Sequence, residues 1–280
     1  MPRIERKGRY AVQKFDFMAF LAERLRWVAA RKPLIHHITN YVVKNETANV
    51  TLCLGALPVM AHAAEEVEEM ASQAGALVIN MGTPYPALEE AMLAAGEAAN
   101  RAGVPVVFDP VGAGATSYRT HLASLLVERV RFAAIRGNAA EIAVLAGMEA
   151  EIRGVESIST GVDAEELAER VSTKLGCVAA VTGEVDVVSD GSRMFRIHNG
   201  HPMLARVTGT GCMATTAVAV LLASGEPYLE ATSAALALFG LAGERAAAVS
   251  GDRPGTFHVE LYNALYELAT GLELEKLRVS

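Results

Sequence analysis

Three short segments of this sequence combine residue types suited to holding negative charge. The first, Thr208-Gly209-Thr210-Gly211-Cys212, runs straight into the apolar stretch 213–223. A glycine-rich turn at a helix start leaves backbone N–H groups unpaired and points the positive end of the helix dipole at them. Such a turn can hold a phosphate or a developing phosphoryl charge. A tight loop with no ligand also uses two glycines for backbone reasons alone, and Cys212 can be read as a small apolar residue at a helix start.

The second segment is Asp109-Pro110-Val111-Gly112, which follows the apolar run 104–108. An open parallel sheet places its ligands at the carboxyl ends of its strands, and Gly112 and Gly114 would permit close approach. Asp109 is therefore either a partner for Mg2+ or the first residue of a turn before proline. The third segment is Arg136-Gly137-Asn138-x-x-Glu141. An arginine can neutralise transferring phosphoryl oxygens and Glu141 can hold Mg2+ through its waters, while Asn138 and Glu141 also fit the pattern of a capping box. The chemistry these segments would serve together is phosphoryl transfer. Neither a lysine-bearing phosphate loop nor the glycine fingerprint of dinucleotide-binding folds occurs in the chain.

To bring these segments together the chain must alternate strands and helices. Residues 16–30 carry Phe17, Phe20, Leu21, Leu25 and Val28 at helical spacing, ended by Pro33. Strand-like runs follow at 34–39, 58–61, 76–80, 104–108, 132–136 and 178–182. Between and after them the pattern predicts helices over 40–55, 64–72, 86–102, 120–129, 138–145, 165–175, 211–223, 228–249 and 256–270. Asp190-Gly191 between 185–189 and 194–197 is a hairpin signal. The expected fold is α/β with three layers: a mostly parallel central sheet, helices on both faces and a late antiparallel hairpin. No linker or internal repeat interrupts it, so residues 16–280 read as one domain and 1–15 as a flexible N-terminal extension. His36 and His37 are adjacent on a strand and point to opposite faces, so they make a poor joint metal site.

The bulk numbers agree with a globular enzyme. Of the 280 residues 51% are hydrophobic and 20% charged, enough to bury a large core. A mean hydropathy of +0.25 suits a sheet covered on both faces together with surface buried against copies of the chain. No run reaches the roughly 20 apolar residues of a membrane span. The first 32 residues sum to +6 against −7 for the whole, leaving −13 for the rest, a poor surface for nucleic acid. Cys53, Cys177 and Cys212 are far apart and form no C-x-x-C pair, so neither zinc nor a disulfide framework is expected, and the compartment is reducing.

Six blocks occur in order: Thr39-Asn40-Tyr41-Val42-Val43, Pro58-Val59-Met60, Asp109-Pro110-Val111-Gly112, Arg136-Gly137-Asn138-x-x-Glu141, Val181-Thr182-Gly183-Glu184 and Gly209-Thr210-Gly211-Cys212. Together they resemble the hydroxyethylthiazole kinase family of the ribokinase-like superfamily, over roughly residues 33–270, with Cys212 where most relatives carry aspartate. The resemblance implies ATP and Mg2+ as cofactors and a thiazole alcohol as substrate. It implies a thiazole pocket at Met60, Gly209 and Asn40, ATP contacts at Arg136, Thr182 and Asn138, and Mg2+ at Asp109 and Glu141. The transfer itself would occur at Gly209, Thr210, Gly211 and Cys212. It also implies a cytoplasmic homotrimer with sites at subunit boundaries. Two other enzymatic readings keep the fold: a dehydratase for a hydrated nicotinamide nucleotide, and a kinase for a pyrimidine or sugar alcohol. Cys212 and the region from Asn40 to Met60 weigh against both. A non-catalytic nucleotide-binding module is the third alternative, since fold does not fix function.

Overall fold

Eight strands form a single sheet in the order β10-β9-β8-β5-β4-β3-β1-β2 in the computed structural model, which describes residues 15–148, 152–153, 156–157, 163–270 and 273–280. Most of the N-terminal extension lies outside the described residues. In chain order the elements are α1 (Phe17–Arg31), β1 (Leu34–Ile38), α2 (Lys44–Cys53), β2 (Leu57–Val59), α3 (Val67–Gln73), β3 (Ala76–Asn80) and α4 (Pro86–Ala102). Then come β4 (Val106–Asp109), α5 (Ser117–Arg129), β5 (Ala134–Asn138) and α6 (Ala139–Leu145). A small antiparallel ladder of β6 (Ile152–Arg153) and β7 (Glu156–Ser157) precedes α7 (Ala164–Leu175) and β8 (Val178–Thr182). The chain closes with β9 (Asp186–Ser189), β10 (Met194–Ile197), α8 (Thr210–Leu222), α9 (Tyr228–Ser250) and α10 (Pro254–Ala269).

Strands β2, β1, β3, β4, β5 and β8 run parallel, while β9 and β10 are antiparallel to their neighbours. The alternation of side chains along each strand divides the core in two. Val78, Val107, Ala134 and Val178 pack with α1, α8, α9 and α10 on one face. Leu77, Ile79, Phe108 and Ile135 pack with α4, α5, α6 and α7 on the other. The expected three-layer α/β fold with its late hairpin is what the chain forms.

Three boundaries differ from the sequence reading in ways that matter to the site. The helix expected over 40–55 begins only at Lys44, because the Asn40 side chain accepts a hydrogen bond from the Val42 N–H (3.0 Å) and so closes a turn. The strand expected over 132–136 continues to Asn138, where it pairs with Thr182 of β8. The short strand holding Pro58 stops at Val59, which leaves Met60 just beyond its carboxyl end. His36 and His37 do point apart, and both are buried. Nε2 of His36 meets the Ala61 carbonyl (2.7 Å), and Nε2 of His37 meets the Thr51 hydroxyl (3.1 Å).

Candidate active site

The carboxyl ends of β1, β3, β4, β5 and β8 lie side by side, so the polar residues that end them converge. At the centre stands Asn80, the last residue of β3 and fully buried. Its Nδ2 donates to Oδ2 of Asp109 (2.8 Å) and to Sγ of Cys212 (3.1 Å). Its Oδ1 accepts from Nδ2 of Asn40 (2.7 Å) and from the Gly82 N–H (3.0 Å). A backbone N–H can only donate, so the Gly82 contact fixes which side of the amide carries oxygen and obliges the other side to face Asp109 and Cys212. Asn40 reaches the same sulfur (3.8 Å), and Thr215, one turn into α8, donates its hydroxyl to Oδ2 of Asp109 (2.9 Å). Residues from β3, β4, α8 and the turn after β1 thus form one hydrogen-bonded cluster.

The glycine turn behaves as its spacing suggests. Gly209 is the N-cap of α8 at φ +85°, a left-handed conformation that favours glycine, and no side chain caps the helix. The Thr210 hydroxyl is turned away, donating to the carbonyls of Leu204 (2.7 Å) and Val207 (3.3 Å). The first-turn N–H groups of α8 therefore have no helical partner and no cap. Over them lies Arg136: a Cβ added to Gly211 would sit 2.7 Å from its Nη1. The guanidinium occupies the space that glycine leaves. A cleft of about 800 Å³ opens from this point, bounded by Arg136, Thr182, Gly211, the loop 198–202 and the α9 residues Phe239 and Gly240. Thr182 ends β8 with its hydroxyl on the Gly137 carbonyl (3.2 Å).

Asp109 and Glu141 form the acidic side. Asn138 and Glu141 make a full capping box: the Glu141 N–H donates to Oδ1 of Asn138 (3.0 Å) and the Asn138 N–H to Oε2 of Glu141 (2.9 Å). The other carboxylate oxygen of Glu141 accepts from the Gly112 N–H (2.9 Å), which ties this helix start to the turn after Asp109. Burial first, and then the charge of Asp109, push the Glu141 carboxyl up to about 7. Burial likewise raises Asp109, partly offset by Arg136 and by hydrogen bonds from Thr215, Cys212 and Asn80. The Cys212 thiol is pushed up to about 12, chiefly by burial and then by Asp109. At neutral pH it is a thiol that accepts hydrogen bonds from two amides.

Mg2+ suits this donor set. Oδ1 of Asp109 is buried without a hydrogen-bond partner, and the charge of Asp109 raises the proton affinity of Glu141, a conflict that a divalent cation relieves. Among the described residues no group of three or more His, Cys, Asp or Glu is placed to hold a metal ion by itself. Mg2+ takes one or two carboxylates and fills its remaining positions with water and substrate phosphates, so two acids suffice to hold it.

Of the residues singled out from sequence, Asn40, Asp109 and Cys212 meet in one cluster, and Arg136 meets Gly211. Asn138 is occupied as a cap, the plainer of its two readings, and Met60 stands apart at the end of the edge strand β2. Sequence reasoning missed Asn80 and Thr215, although both carried a signal: a polar residue closing the apolar run 76–79, and a hydroxyl inside the apolar helix 213–223. It also missed Arg119, whose guanidinium donates to the carbonyls of Met81 (2.8 Å), Val111 (2.7 Å) and Gly82 (2.7 Å) and so joins the loops after β3 and β4.

Residues 25–271 match the model of the hydroxyethylthiazole kinase family. A hydroxyethylthiazole kinase of Rubrobacter xylanophilus is 53% identical over 249 residues, 89% of this chain and 92% of that protein. The solved structure of a hydroxyethylthiazole kinase protein from Pyrococcus horikoshii superposes with a TM-score of 0.85 at 44% identity, covering 94% of this chain and 98% of that one. A ribokinase-like superfamily protein from Enterococcus faecalis shares the fold alone, with a TM-score of 0.59 at 14% identity over 85% of this chain and 87% of its own. Matched along nearly its whole described length, with the strand-end cluster and the uncapped glycine turn in place, the chain belongs to the hydroxyethylthiazole kinase family.

Proposed function

We propose that this chain is an ATP-dependent kinase that phosphorylates the primary hydroxyl of 4-methyl-5-(2-hydroxyethyl)thiazole, supplying thiazole phosphate to thiamine salvage. Beyond family membership, the observation that carries the reading is the meeting of the uncapped start of α8 with Arg136 on one side and the Asn80, Asp109 and Cys212 cluster on the other. Phosphoryl transfer asks the protein mainly for positioning and charge stabilisation. The N–H groups of Thr210, Gly211 and Cys212 hold the migrating phosphoryl oxygens, and Arg136 neutralises their charge. Thr182 and Arg136 contact ATP from the cleft, with the Asn138 turn beside them. Asp109 and Glu141 hold Mg2+, which when bound neutralises phosphate charge.

The alcohol lies over Gly209, between Asn40 and Met60, with its hydroxyl toward Cys212. Pushed up to about 12, the Cys212 thiol stays protonated at neutral pH and offers little thiolate to take a proton, so Cys212 shapes the pocket and the acceptor hydroxyl is activated mainly by alignment. Residues 16–280 act as one catalytic domain. The working form is a cytoplasmic homotrimer with sites at subunit boundaries. Supporting it, Tyr41, Val42, Leu52 and Leu57 expose apolar surface along the segment from Asn40 to the edge strand β2. Among the described residues no helix is long and apolar enough to cross a membrane.

The test is purified protein with Mg-ATP and a panel of thiazole, pyrimidine, pyridoxal and sugar alcohols, scored for ADP and phosphorylated product. Selective turnover of the thiazole alcohol is expected. Preference for another alcohol, or ADP release without product, overturns the reading.

A further inference from the structure

One wall of the cleft, the loop 198–202, is hydrogen-bonded to residues 278–280. Residues 278–280 lie along β10: the Arg196 N–H donates to the Ser280 carbonyl (2.7 Å), the Ser280 N–H to the Arg196 carbonyl (2.9 Å) and the His198 N–H to the Arg278 carbonyl (2.9 Å). From this edge the Arg278 guanidinium reaches the His198 carbonyl (2.7 Å) and both carboxylate oxygens of Glu244 on α9 (2.7 and 3.1 Å). Oε1 of Glu244 accepts from the Gly200 N–H (2.8 Å) and from Nδ2 of Asn199 (3.2 Å), while Oδ1 of Asn199 accepts from the Arg278 N–H (2.6 Å). On its other side the loop presses on α9 so closely that a Cβ at Gly240 would lie 2.3 Å from the Asn199 carbonyl oxygen. Gly240 and residues 198–202 face the same cleft as Arg136, Thr182 and Gly211.

We infer that Arg278 is a positioning residue for nucleotide binding: paired with Glu244, it holds the loop 198–202 in the shape that walls the cleft. The inference rests on the reading of that cleft as the ATP site. The Arg278 side chain is half exposed, so the ion pair by itself adds little to global stability. Its influence is local, through the three contacts it makes to the loop and to Glu244. Among the described residues none of 273–280 hydrogen-bonds to Asp109, Cys212 or Asn80, so the alcohol side is expected to be insensitive to this segment.

The experiment measures kinetics and ADP affinity by calorimetry on full-length protein carrying Arg278→Ala, Arg278→Lys or Glu244→Gln. For Arg278→Ala, KM for ATP and the Kd of ADP are expected to rise about tenfold, with kcat and KM for the thiazole alcohol within about twofold of wild type. Arg278→Lys restores part of the affinity. Glu244→Gln keeps the acceptor for Gly200, gives a smaller rise of about threefold, and serves as the test if Arg278→Ala does not fold. Unchanged ADP affinity in folded variants, or equal rises in both KM values, overturns the inference. Gly211→Val separates the two readings. If it weakens ADP while Arg278→Ala does not, the role of Arg278 alone fails. If wild type turns over the alcohol but Gly211→Val leaves ADP binding intact, the cleft is not the nucleotide site.

Discussion

Around Asn80 the amide uses all four of its hydrogen-bonding positions, on Asp109, Cys212, Asn40 and Gly82, and the cluster lies between the sheet and α8 with Asn80 and Asp109 buried and Cys212 partly exposed. Across Gly211, the cleft that faces Arg136 and Thr182 is open and walled by a loop that is hydrogen-bonded to Arg278. On the proposed assignment of the cluster to the alcohol and the cleft to the nucleotide, the difference follows from what each end must do. Aligning a hydroxyl with a phosphorus needs groups held to fractions of an ångström, which strand ends and saturated amides provide. A nucleotide that must enter and leave at every turnover needs a wall that can be tuned without disturbing the reacting atoms.

The sharpest way to break this comparison is at Asn80. Asn80→Ala strands an acceptor on Asp109 and one on Cys212 in a dry site, at a cost of about 1–3 kcal/mol each. Its kcat is expected to fall roughly ten- to hundredfold, with KM for ATP nearly unchanged. A rise in KM for ATP matching the loss in kcat would mean that the two ends are not separable.

A smaller effect comes from Glu141, whose carboxyl is raised from 4.5 to about 7 in the folded chain. Between those values the unfolded chain has released this proton while the folded chain still binds it. Metal-free protein therefore loses stability from this group as pH rises from 4.5 to about 7, and no further above that. Thermal midpoints measured across this range should show the decline, and Glu141→Gln should flatten it. Mg2+ should raise the midpoint more at pH 8 than at pH 5, since protonation competes with it. A decline that persists unaltered in Glu141→Gln would place its origin elsewhere.

The smallest change is expected at Cys212. Cys212→Ser should keep turnover within about an order of magnitude, and Cys212→Asp, which places a proton acceptor there, should keep or improve it. Loss of all activity in both would make the thiolate essential and contradict a thiol held near 12.

Local chemistry made much of this molecule legible. The apolar runs 76–80 and 178–182, the proline and glycine that bracket 86–102, and the Asp190-Gly191 turn each act within a few residues. Their elements therefore appear where the sequence puts them. The glycine turn before α8 was legible for the same reason: a left-handed residue and an uncapped helix start are properties of a single loop. Tertiary structure alone decided which strand ends stand beside one another. Asn80 and Cys212 are 132 residues apart, Asn199 and Arg278 79, and no periodicity within one segment encodes either meeting. The sheet order that brings β3 beside β4 and folds the chain terminus against β10 is set by burial summed over both faces. The polar contacts at its edges are consequences of that packing, which is why they could be read only from the folded chain.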